Sequence, residues 1–156
     1  MLKAITVLTT AVIILTSSLL PVKGSYQEPY ERAGISEEEF YFISSVVEAE
    51  SDRSESLEGR ILIAEVILNR VNSPLFPDTI SGVLNQSGQF STVVNGHSIT
   101  ERTELSDEAV IQAIREIESG TAPEVLFFNC IGFNSYGEPY GDGAIDGNYF
   151  MTYEEA

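Results

Sequence analysis

The sequence predicts a mainly α-helical single domain of the α+β class, with a buried central helix and minor β-structure. Three observations lead to this prediction. Residues 57–71 are apolar on nearly every face of a helix, which is the pattern of a helix enclosed by others. Amphipathic helical patterns occur on either side of it, at 36–50 and 106–119, and the apolar run at 125–130 is typical of a strand. A chain of 156 residues is long enough for one such domain.

Capping signals set the predicted helix boundaries. Ser36 and Glu39 have capping-box spacing, so the first helix is predicted to start at Ser36. The buried helix is predicted to end before Pro74, because proline disfavours helical backbone in the residue that precedes it. Either Asp78 or Thr79 can cap a short third helix.

The last third of the chain combines one helix with extended structure. The helix predicted at 106–119 is followed by Gly120, where a C-terminal cap belongs. The strand predicted at 125–130 includes the chain's one cysteine, Cys130, which we interpret as a small buried residue because its neighbours are apolar. Residues 132–153 hold glycine, asparagine and aromatic residues without a helical period.

Residues 1–24 have the pattern of a secretory signal peptide. Lys3 gives a basic start, residues 4–20 form an uncharged apolar run, and Val22 and Gly24 are small residues before a cleavage point. The alternative is an uncleaved membrane anchor, for which the apolar run is marginally short.

Cleavage of this segment would leave a strongly acidic protein. Residues 25–35 are predicted as a short, loose lead-in, and residues 36–156 as the folded domain. Both lysines of the chain lie in the segment, so the remainder holds six arginines against 24 acidic residues, a formal charge of −18. This charge argues against nucleic acid and anionic membrane surfaces as partners, but not against a sugar polymer. We therefore expect a secreted protein without stable membrane insertion.

The first candidate for chemistry is the carboxyl group of Glu50. Ile43, Val47 and Glu50 are spaced four and three residues apart, so they share one face of the first helix. Burial on an apolar face disfavours the charged form of a carboxyl group, and a carboxyl group that keeps its proton can act as a general acid. The alternative is that Glu50, at the C-terminal end of the helix, extends into water.

Two further carboxylates are candidates for the same chemistry, because two carboxyl groups that flank a glycosidic bond can act as acid and base. Glu55 follows Glu50 across a predicted non-helical break, so the sequence does not determine their separation. Glu65 lies inside the buried helix, where either a direct catalytic role or a buried ion pair with an arginine would explain it.

A polar loop at 86–91 has the composition of a sugar-binding surface. Gln89, Phe90 and Ser91 combine an amide, an aromatic ring and a hydroxyl. Amides can bond to sugar hydroxyls, and a ring can pack against a pyranose face. The alternative is a surface loop that Phe90 anchors in the core. Asn69-Arg70 lie near the end of the buried helix, where the helix dipole favours a positive charge.

No cofactor and no metal are predicted. His97 is the one histidine, and nothing near it in the sequence has the pattern of a nucleophile or a zinc site. Asp142 and Asp146 lie in a segment that could bind calcium, but its match to a calcium loop is poor, and a glycine-rich turn explains it better. A calcium-dependent surface protein is therefore a minor alternative.

Several segments, in their order along the chain, resemble the cell wall hydrolases of the SleB/CwlJ type, the spore-cortex-lytic enzymes and their relatives. The resemblance spans about residues 37–130, and it is the combination of segments that is specific. The segments are Val47-Glu48-Ala49-Glu50, Glu58-Gly59-Arg60, Ala64-Glu65-Val66-Ile67-Leu68-Asn69-Arg70-Val71, Ser73-Pro74-Leu75-Phe76-Pro77-Asp78-Thr79-Ile80-Ser81-Gly82-Val83, Gly88-Gln89-Phe90-Ser91, Asn95-Gly96, the predicted helix at 106–119 and Phe128-Asn129.

The resemblance implies a lysozyme-like fold related to soluble lytic transglycosylases, with residues 36–156 as the catalytic domain. It implies an extracytoplasmic enzyme of the cell wall that cleaves the β-1,4 bond between N-acetylmuramic acid and N-acetylglucosamine in peptidoglycan. We expect a monomer whose partners are the glycan strands. The alternative is a non-catalytic glycan-binding module on the same fold.

The resemblance also implies roles for individual residues. The family's one essential glutamate ends its first core helix, a position that falls on Glu50, with Glu55 and Glu65 as runners-up. Asn69 and Arg70 would brace the groove. The substrate-binding residues would be Ser51, Gln89, Phe90, Ser91 and Asn129.

Overall fold

Five helices and five short strands form the part of the chain that the computed structural model describes, residues 27–51 and 56–153. The helices are α1 Pro29–Arg32, α2 Glu37–Glu50, α3 Leu57–Asn72, α4 Ile80–Leu84 and α5 Glu104–Ser119. The strands are β1 Val93–Val94, β2 His97–Ser98, β3 Val125–Asn129, β4 Glu138–Ile145 and β5 Asn148–Thr152. This architecture confirms the predicted fold class. The predicted signal segment, 1–24, and the candidate Glu55 lie outside the described residues.

Helix α3 is the centre of the domain, as predicted. Every side chain from Leu62 to Leu68 is buried, and the helix packs against α2, α4, α5 and β3. Polar side chains on the enclosed faces of this helix cannot reach water, so they need partners inside the protein. Nowhere in the two described ranges is a helix both long and apolar enough to cross a membrane.

Capping contacts begin and end the helices close to the predicted positions. Ser36 Oγ accepts a hydrogen bond from the backbone N–H of Glu39, whose carboxylate accepts one from the backbone N–H of Ser36 at 2.9 Å. The predicted capping box is therefore confirmed. Helix α5 begins at Glu104, slightly earlier than predicted, because Thr103 is its N-cap. Gly120 ends α5 in the left-handed region, with φ of 71°, as predicted.

Residues 27–35, the described part of the lead-in predicted at 25–35, are not loose as the sequence predicted. They contain α1, and the ring of Tyr30 stacks on Phe40 of α2 with the ring centroids 4.5 Å apart. Ile35 is also buried. A four-residue helix is too short to show a periodic pattern, so its packing on α2 is what reveals it.

The hairpin formed by β4 and β5 is a second element that the sequence did not predict. The antiparallel sheet has the order β3–β5–β4, so β5 lies between the other two strands. Phe150 of β5 pairs with Phe128 of β3 and is fully buried. The turn residues Asp146 and Gly147 have positive φ angles of 50° and 81°, as in a two-residue type I′ turn. The glycine-rich turn predicted here is therefore the end of a hairpin.

Asp146 connects this hairpin to the start of α3. Its Oδ2 accepts a hydrogen bond from the backbone N–H of Gly59 at 3.0 Å. The N–H groups in the first turn of a helix have no partner within that helix, so the hairpin supplies one of the missing acceptors. Gly59 is also required sterically, because a Cβ atom there would lie 2.4 Å from the same oxygen.

We expect Gly59→Ala to lower the free energy of unfolding by about 1–3 kcal/mol, because the added methyl group displaces Asp146. Alanine is otherwise favoured over glycine in a helix by about 1 kcal/mol, so a gain in stability would contradict this packing. Gly143→Ala is the matched control, since a Cβ atom at Gly143 meets no atom within 4 Å. Urea denaturation of both variants and the parent measures the two effects.

Candidate active site

A groove of about 610 Å³ opens beside the C-terminal end of α2. Its walls are formed by helices α2 and α3, the loops on either side of α4, the end of β3 with the loop after it, and β5. The lining residues are Glu50, Arg70, Phe76, Gln86, Gly88, Gln89, Phe127, Phe128, Asn129, Cys130, Ile131, Asn134, Tyr136, Asn148 and Met151. Among these described lining residues Glu50 is the one carboxylate, so it is the candidate for acid–base chemistry in the groove.

Glu50 lies where the apolar face of α2 leaves the core and reaches the groove. Ile43 and Val47, on the same face, are fully buried, whereas Glu50 is half-buried. Its Oε1 accepts a hydrogen bond of 2.6 Å from Thr92 Oγ1. The predicted helical face is therefore present, and the carboxyl group at its end faces a groove instead of extending freely into water.

Arg70 brings a buried positive charge to the same groove. Its Nε donates a hydrogen bond of 2.7 Å to the carbonyl oxygen of Leu126. The guanidinium carbon lies 4.8, 5.5 and 5.8 Å from the ring centres of Phe76, Phe90 and Phe127, so cation–π contacts offset part of its lost hydration. Burial lowers the pKa of Arg70 to about 10, and the guanidinium therefore stays charged at neutral pH.

Asn69 and Arg70 together position strand β3. Asn69 Nδ2 donates hydrogen bonds to the carbonyl oxygens of Pro123 and Val125 at 2.9 and 3.0 Å. With the bond from Arg70 to Leu126, α3 holds three carbonyl groups at the start of the strand that continues into the groove wall. These are the contacts of bracing residues, and Arg70 in addition lines the groove itself.

The predicted sugar-binding loop contains residues that face the groove and residues that support it. Gln89 is exposed and lines the groove, together with Gln86 and Gly88. Phe90 is 4% exposed and anchors the loop in the core, which is the alternative that the sequence left open. Ser91 is exposed but does not line the groove.

Asn129 lines the groove, but Ser51 does not. Asn129 Oδ1 accepts hydrogen bonds from the backbone N–H groups of Ile131 and Gly132 at 2.8 and 3.0 Å, and its Nδ2 is buried without a partner among the described residues. Ser51 is 2% exposed, and its hydroxyl donates to the carbonyl oxygen of Glu48 at 2.8 Å. The Ser51 hydroxyl therefore serves the end of α2, and the geometry gives no support to a substrate contact.

The prediction that Cys130 is buried is wrong. Strand β3 ends at Asn129, and Cys130 is exposed at the groove. The apolar run continues to Cys130 in the sequence, but the side chain of Asn129 accepts two backbone N–H groups of the following loop and turns the chain away from the core.

Aromatic rings form one wall of the groove. The ring centroids of Phe76 and Phe127 are 5.9 Å apart, and those of Phe127 and Tyr136 are 6.2 Å apart. Tyr136 is 70% exposed, although its ring is large and apolar. An exposed ring beside amide side chains suits a sugar, which presents an apolar face and polar edges.

Two residues of this site, Thr92 and Tyr136, were not predicted from the sequence. Thr92 immediately follows the predicted sugar-binding loop, so the polar composition of that loop was the available signal. Its contact with Glu50 joins residues far apart in the chain, which no local pattern shows. Tyr136 lies in a loop without periodicity, so its sequence context does not distinguish it from other aromatic residues.

Glu65 lies away from this groove, on another face of α3. It is fully buried, and no ion pair among the described residues includes it, so the buried ion pair with an arginine that the sequence left open does not explain it. It lines a separate cavity of about 430 Å³ with Glu58, Glu116 and Tyr140, which gives no support to a direct role in the groove. Burial, reinforced by the charge of Glu116, raises the pKa of Glu65 to about 8.

The described residues contain no group of three or more His, Cys, Asp or Glu side chains placed to hold a metal ion. His97 is exposed on β2 and lines a different cavity, beside Glu38 and Glu39. The histidine therefore takes no part in the groove.

A family model described as Cell Wall Hydrolase matches residues 54–136, just over half of the chain. The chain belongs to this family of cell wall hydrolases. Spore cortex-lytic enzymes of Oceanobacillus iheyensis and Bacillus subtilis are 39% and 40% identical to it over 97 and 81 residues. The matched stretches cover 62% and 52% of this chain but 34% and 26% of those proteins, so the chain spans about a third or less of the curated relatives.

Two solved structures share the fold of this cell wall hydrolase. The catalytic domain of the Bacillus cereus SleB protein is 27% identical, with a TM-score of 0.61 over 75% of this chain and 91% of that one. The catalytic domain of SleB from Bacillus anthracis, a germination-specific lytic transglycosylase, is 27% identical, with a TM-score of 0.62 over 76% and 98%. The family and the fold that the resemblance implied are therefore confirmed.

Because the family match begins at residue 54, the choice of Glu50 as the candidate acid depends on the geometry of the groove.

Cys130 allows a direct check of the groove wall. Because it is the one cysteine of the chain and is exposed, we expect a maleimide reagent to add one label to the native hydrolase. The labelling rate should be close to that of the protein unfolded in urea. Intact-protein mass spectrometry follows the reaction, and a thiol that reacts only after unfolding would contradict an end of β3 at Asn129.

Glu65 should make the stability of this hydrolase depend on pH. Its pKa in the folded state, about 8, lies above the ordinary value of 4.5, so the folded protein binds the proton more tightly than the unfolded chain does. The resulting stabilisation is fully present below about pH 4.5 and is lost as the pH rises toward about 8, for a total on the order of 3 kcal/mol or more. We expect Glu65→Gln, which is neutral at every pH, to remove most of this loss.

Thermal unfolding between about pH 5 and about pH 9 measures the effect. The quantity compared is the slope of the melting temperature against pH in Glu65→Gln and in the parent. The matched control is Glu58→Gln, since Glu58 lines the same cavity but is exposed, and this variant should keep the parent's slope. If the melting temperatures of Glu65→Gln and the parent changed with pH in the same way, Glu65 would not be the titrating group.

Proposed function

We propose that this chain cleaves the glycan strands of peptidoglycan at the β-1,4 bond between N-acetylmuramic acid and N-acetylglucosamine. The observation that carries the proposal is the position of Glu50, the one carboxylate among the described residues of a groove lined by amides and aromatic rings. Membership in the cell wall hydrolase family supports the substrate class. So do the curated relatives, which are spore cortex-lytic enzymes.

Glu50 acts first as a general acid. It gives its proton to the oxygen that bridges the two sugars, and the bond between that oxygen and C1 of the muramic acid residue breaks as positive charge develops at C1.

The same carboxylate then acts as a general base. The 6-hydroxyl of the muramic acid residue attacks C1, gives its proton to Glu50 and closes an anhydro ring, so no water is consumed. This lytic transglycosylase route needs one carboxylate, whereas hydrolases of the retaining and inverting types use two. We favour it because the described lining of the groove holds one carboxylate and because one structural relative is a lytic transglycosylase.

The other walls of the groove would bind the sugar chain. Gln89 and Asn129 carry amides that can bond to hydroxyl and acetamido groups, and Tyr136 exposes a ring on which a sugar can stack. Arg70 supplies a fixed positive charge at the groove wall. We further propose that the protein acts outside the cytoplasm, at the cell wall, as a monomer without a cofactor. The signal-peptide pattern at 1–24 supports this location.

We expect Glu50→Gln to lower the rate of peptidoglycan cleavage by about 100-fold or more, because a carboxamide can neither give nor take the proton. Loss of turbidity of purified sacculi measures the rate. Mass spectrometry of the released fragments should show anhydro-muramic ends, which are lighter than reducing ends by one water. Reducing ends would show that water, not the 6-hydroxyl, attacks C1.

Glu38→Gln is the matched control, since Glu38 is an exposed glutamate on the same helix, and it should clear sacculi at the parent's rate. Equal clearing by Glu50→Gln and the parent would remove Glu50 from the mechanism. Binding of the parent to sacculi without release of soluble fragments would instead favour the non-catalytic glycan-binding module.

A further inference from the structure

Thr92 contacts the carboxyl group of Glu50 although the two residues are 42 positions apart in the chain. We propose that Thr92 is a positioning residue, which holds Oε1 of Glu50 and leaves Oε2 as the oxygen that exchanges a proton with the substrate. The inference rests on the proposed role of Glu50 as acid and base. Thr92 itself does not line the groove, so it would act through Glu50 and not by contact with the sugar.

The geometry of the contact is that of a hydroxyl bound to a carboxylate. The distance from Thr92 Oγ1 to Glu50 Oε1 is 2.6 Å, within the range of about 2.5–3.0 Å for an O–H···O hydrogen bond. Among the described residues it is the one hydrogen bond made to this carboxyl group. A donor on one oxygen restricts rotation of the carboxyl group, so the other oxygen keeps a constant direction.

The backbone around Thr92 is held from both sides. Phe90, two residues earlier, is buried in the core, and its carbonyl oxygen accepts a hydrogen bond of 3.1 Å from the N–H of Val93. The carbonyl oxygen of Thr92 accepts one of 3.0 Å from the N–H of Ile99, beyond the β1–β2 hairpin. Because threonine is β-branched, its hydroxyl has few rotamers once the backbone is placed.

The same hairpin is also bound to the helix that carries Glu50. Ser98 of β2 donates a hydrogen bond of 3.1 Å from its hydroxyl to the carbonyl oxygen of Ser45 in α2. Thr92 and Glu50 therefore belong to two segments joined at a second point, and their distance does not depend on the 2.6 Å contact alone. Such support is what holds a catalytic group in one orientation.

The hydroxyl has an effect on each proton transfer. When Glu50 gives up its proton from Oε2, the hydrogen bond at Oε1 stabilises the carboxylate that forms, and the same carboxylate then takes the proton of the attacking hydroxyl. The other titratable groups that line the groove are Arg70, Cys130 and Tyr136. The direct donor to Glu50 is Thr92, whereas the Nε of Arg70 donates to the carbonyl oxygen of Leu126.

The test compares Thr92→Val, which removes the hydroxyl and keeps the shape, with Thr92→Ser, which keeps the hydroxyl. We expect Thr92→Val to lower kcat on soluble glycan-strand fragments by about 10- to 100-fold, with KM within about twofold of the parent. Thr92→Ser should recover most of kcat.

Two controls separate this inference from the proposed function. Thr121→Val removes an exposed hydroxyl at the end of α5 and should keep the parent's kcat. The melting temperature of each Thr92 variant shows whether it is folded, and in a Glu50→Gln background Thr92→Val should cause no further loss.

Each outcome then decides one question. If Glu50→Gln is inactive while Thr92→Val keeps the parent's kcat, the positioning role is overturned and the proposed function stands. Equal losses in Thr92→Val and Thr92→Ser would also overturn it, since the hydroxyl would then not be the cause. An active Glu50→Gln variant would overturn both proposals.

Discussion

Enclosure of α3 is the constraint on which the rest of the structure depends. Polar side chains on the buried faces of this helix cannot be hydrated, so each of them must find an interior partner or lose its charge. Arg60 forms an ion pair with Glu48 at 3.1 Å, with both side chains largely buried. Asn69 and Arg70 bond to backbone carbonyls at the start of β3. Glu65 has no such partner among the described residues, and burial raises its pKa to about 8.

These interior contacts also build the site. The carbonyl groups held by Asn69 and Arg70 set the position of β3, whose end forms one wall of the groove. Glu48 accepts a hydrogen bond of 2.7 Å from Thr103, the N-cap of α5, as well as those from Arg60. The last turn of α2 is therefore fixed to both neighbouring helices immediately before Glu50. A carboxyl group at the end of a helix held in this way points in a defined direction.

Glu50 and Glu65 show why sequence patterns alone could not separate a candidate acid from a buried one. Both are glutamates beside apolar residues on a helix, so periodicity treats them alike. The structure places Glu50 at a groove with a hydroxyl donor on one oxygen, and seals Glu65 near the carboxyl group of Glu116. What distinguishes them is which element packs against each face, and this is a property of the whole domain.

The sequence by itself determined the elements whose signals are local: the capping box of α2, the burial of α3, the helix ended by Gly120 and the helical face that ends at Glu50. Only the tertiary structure decided the contact of Thr92 with Glu50, the exposure of Cys130 and the β4–β5 hairpin. The physical reason is the distance along the chain over which each kind of signal acts. Capping and periodicity act over a few residues, whereas strand pairing and groove walls join distant segments whose approach depends on how the core closes.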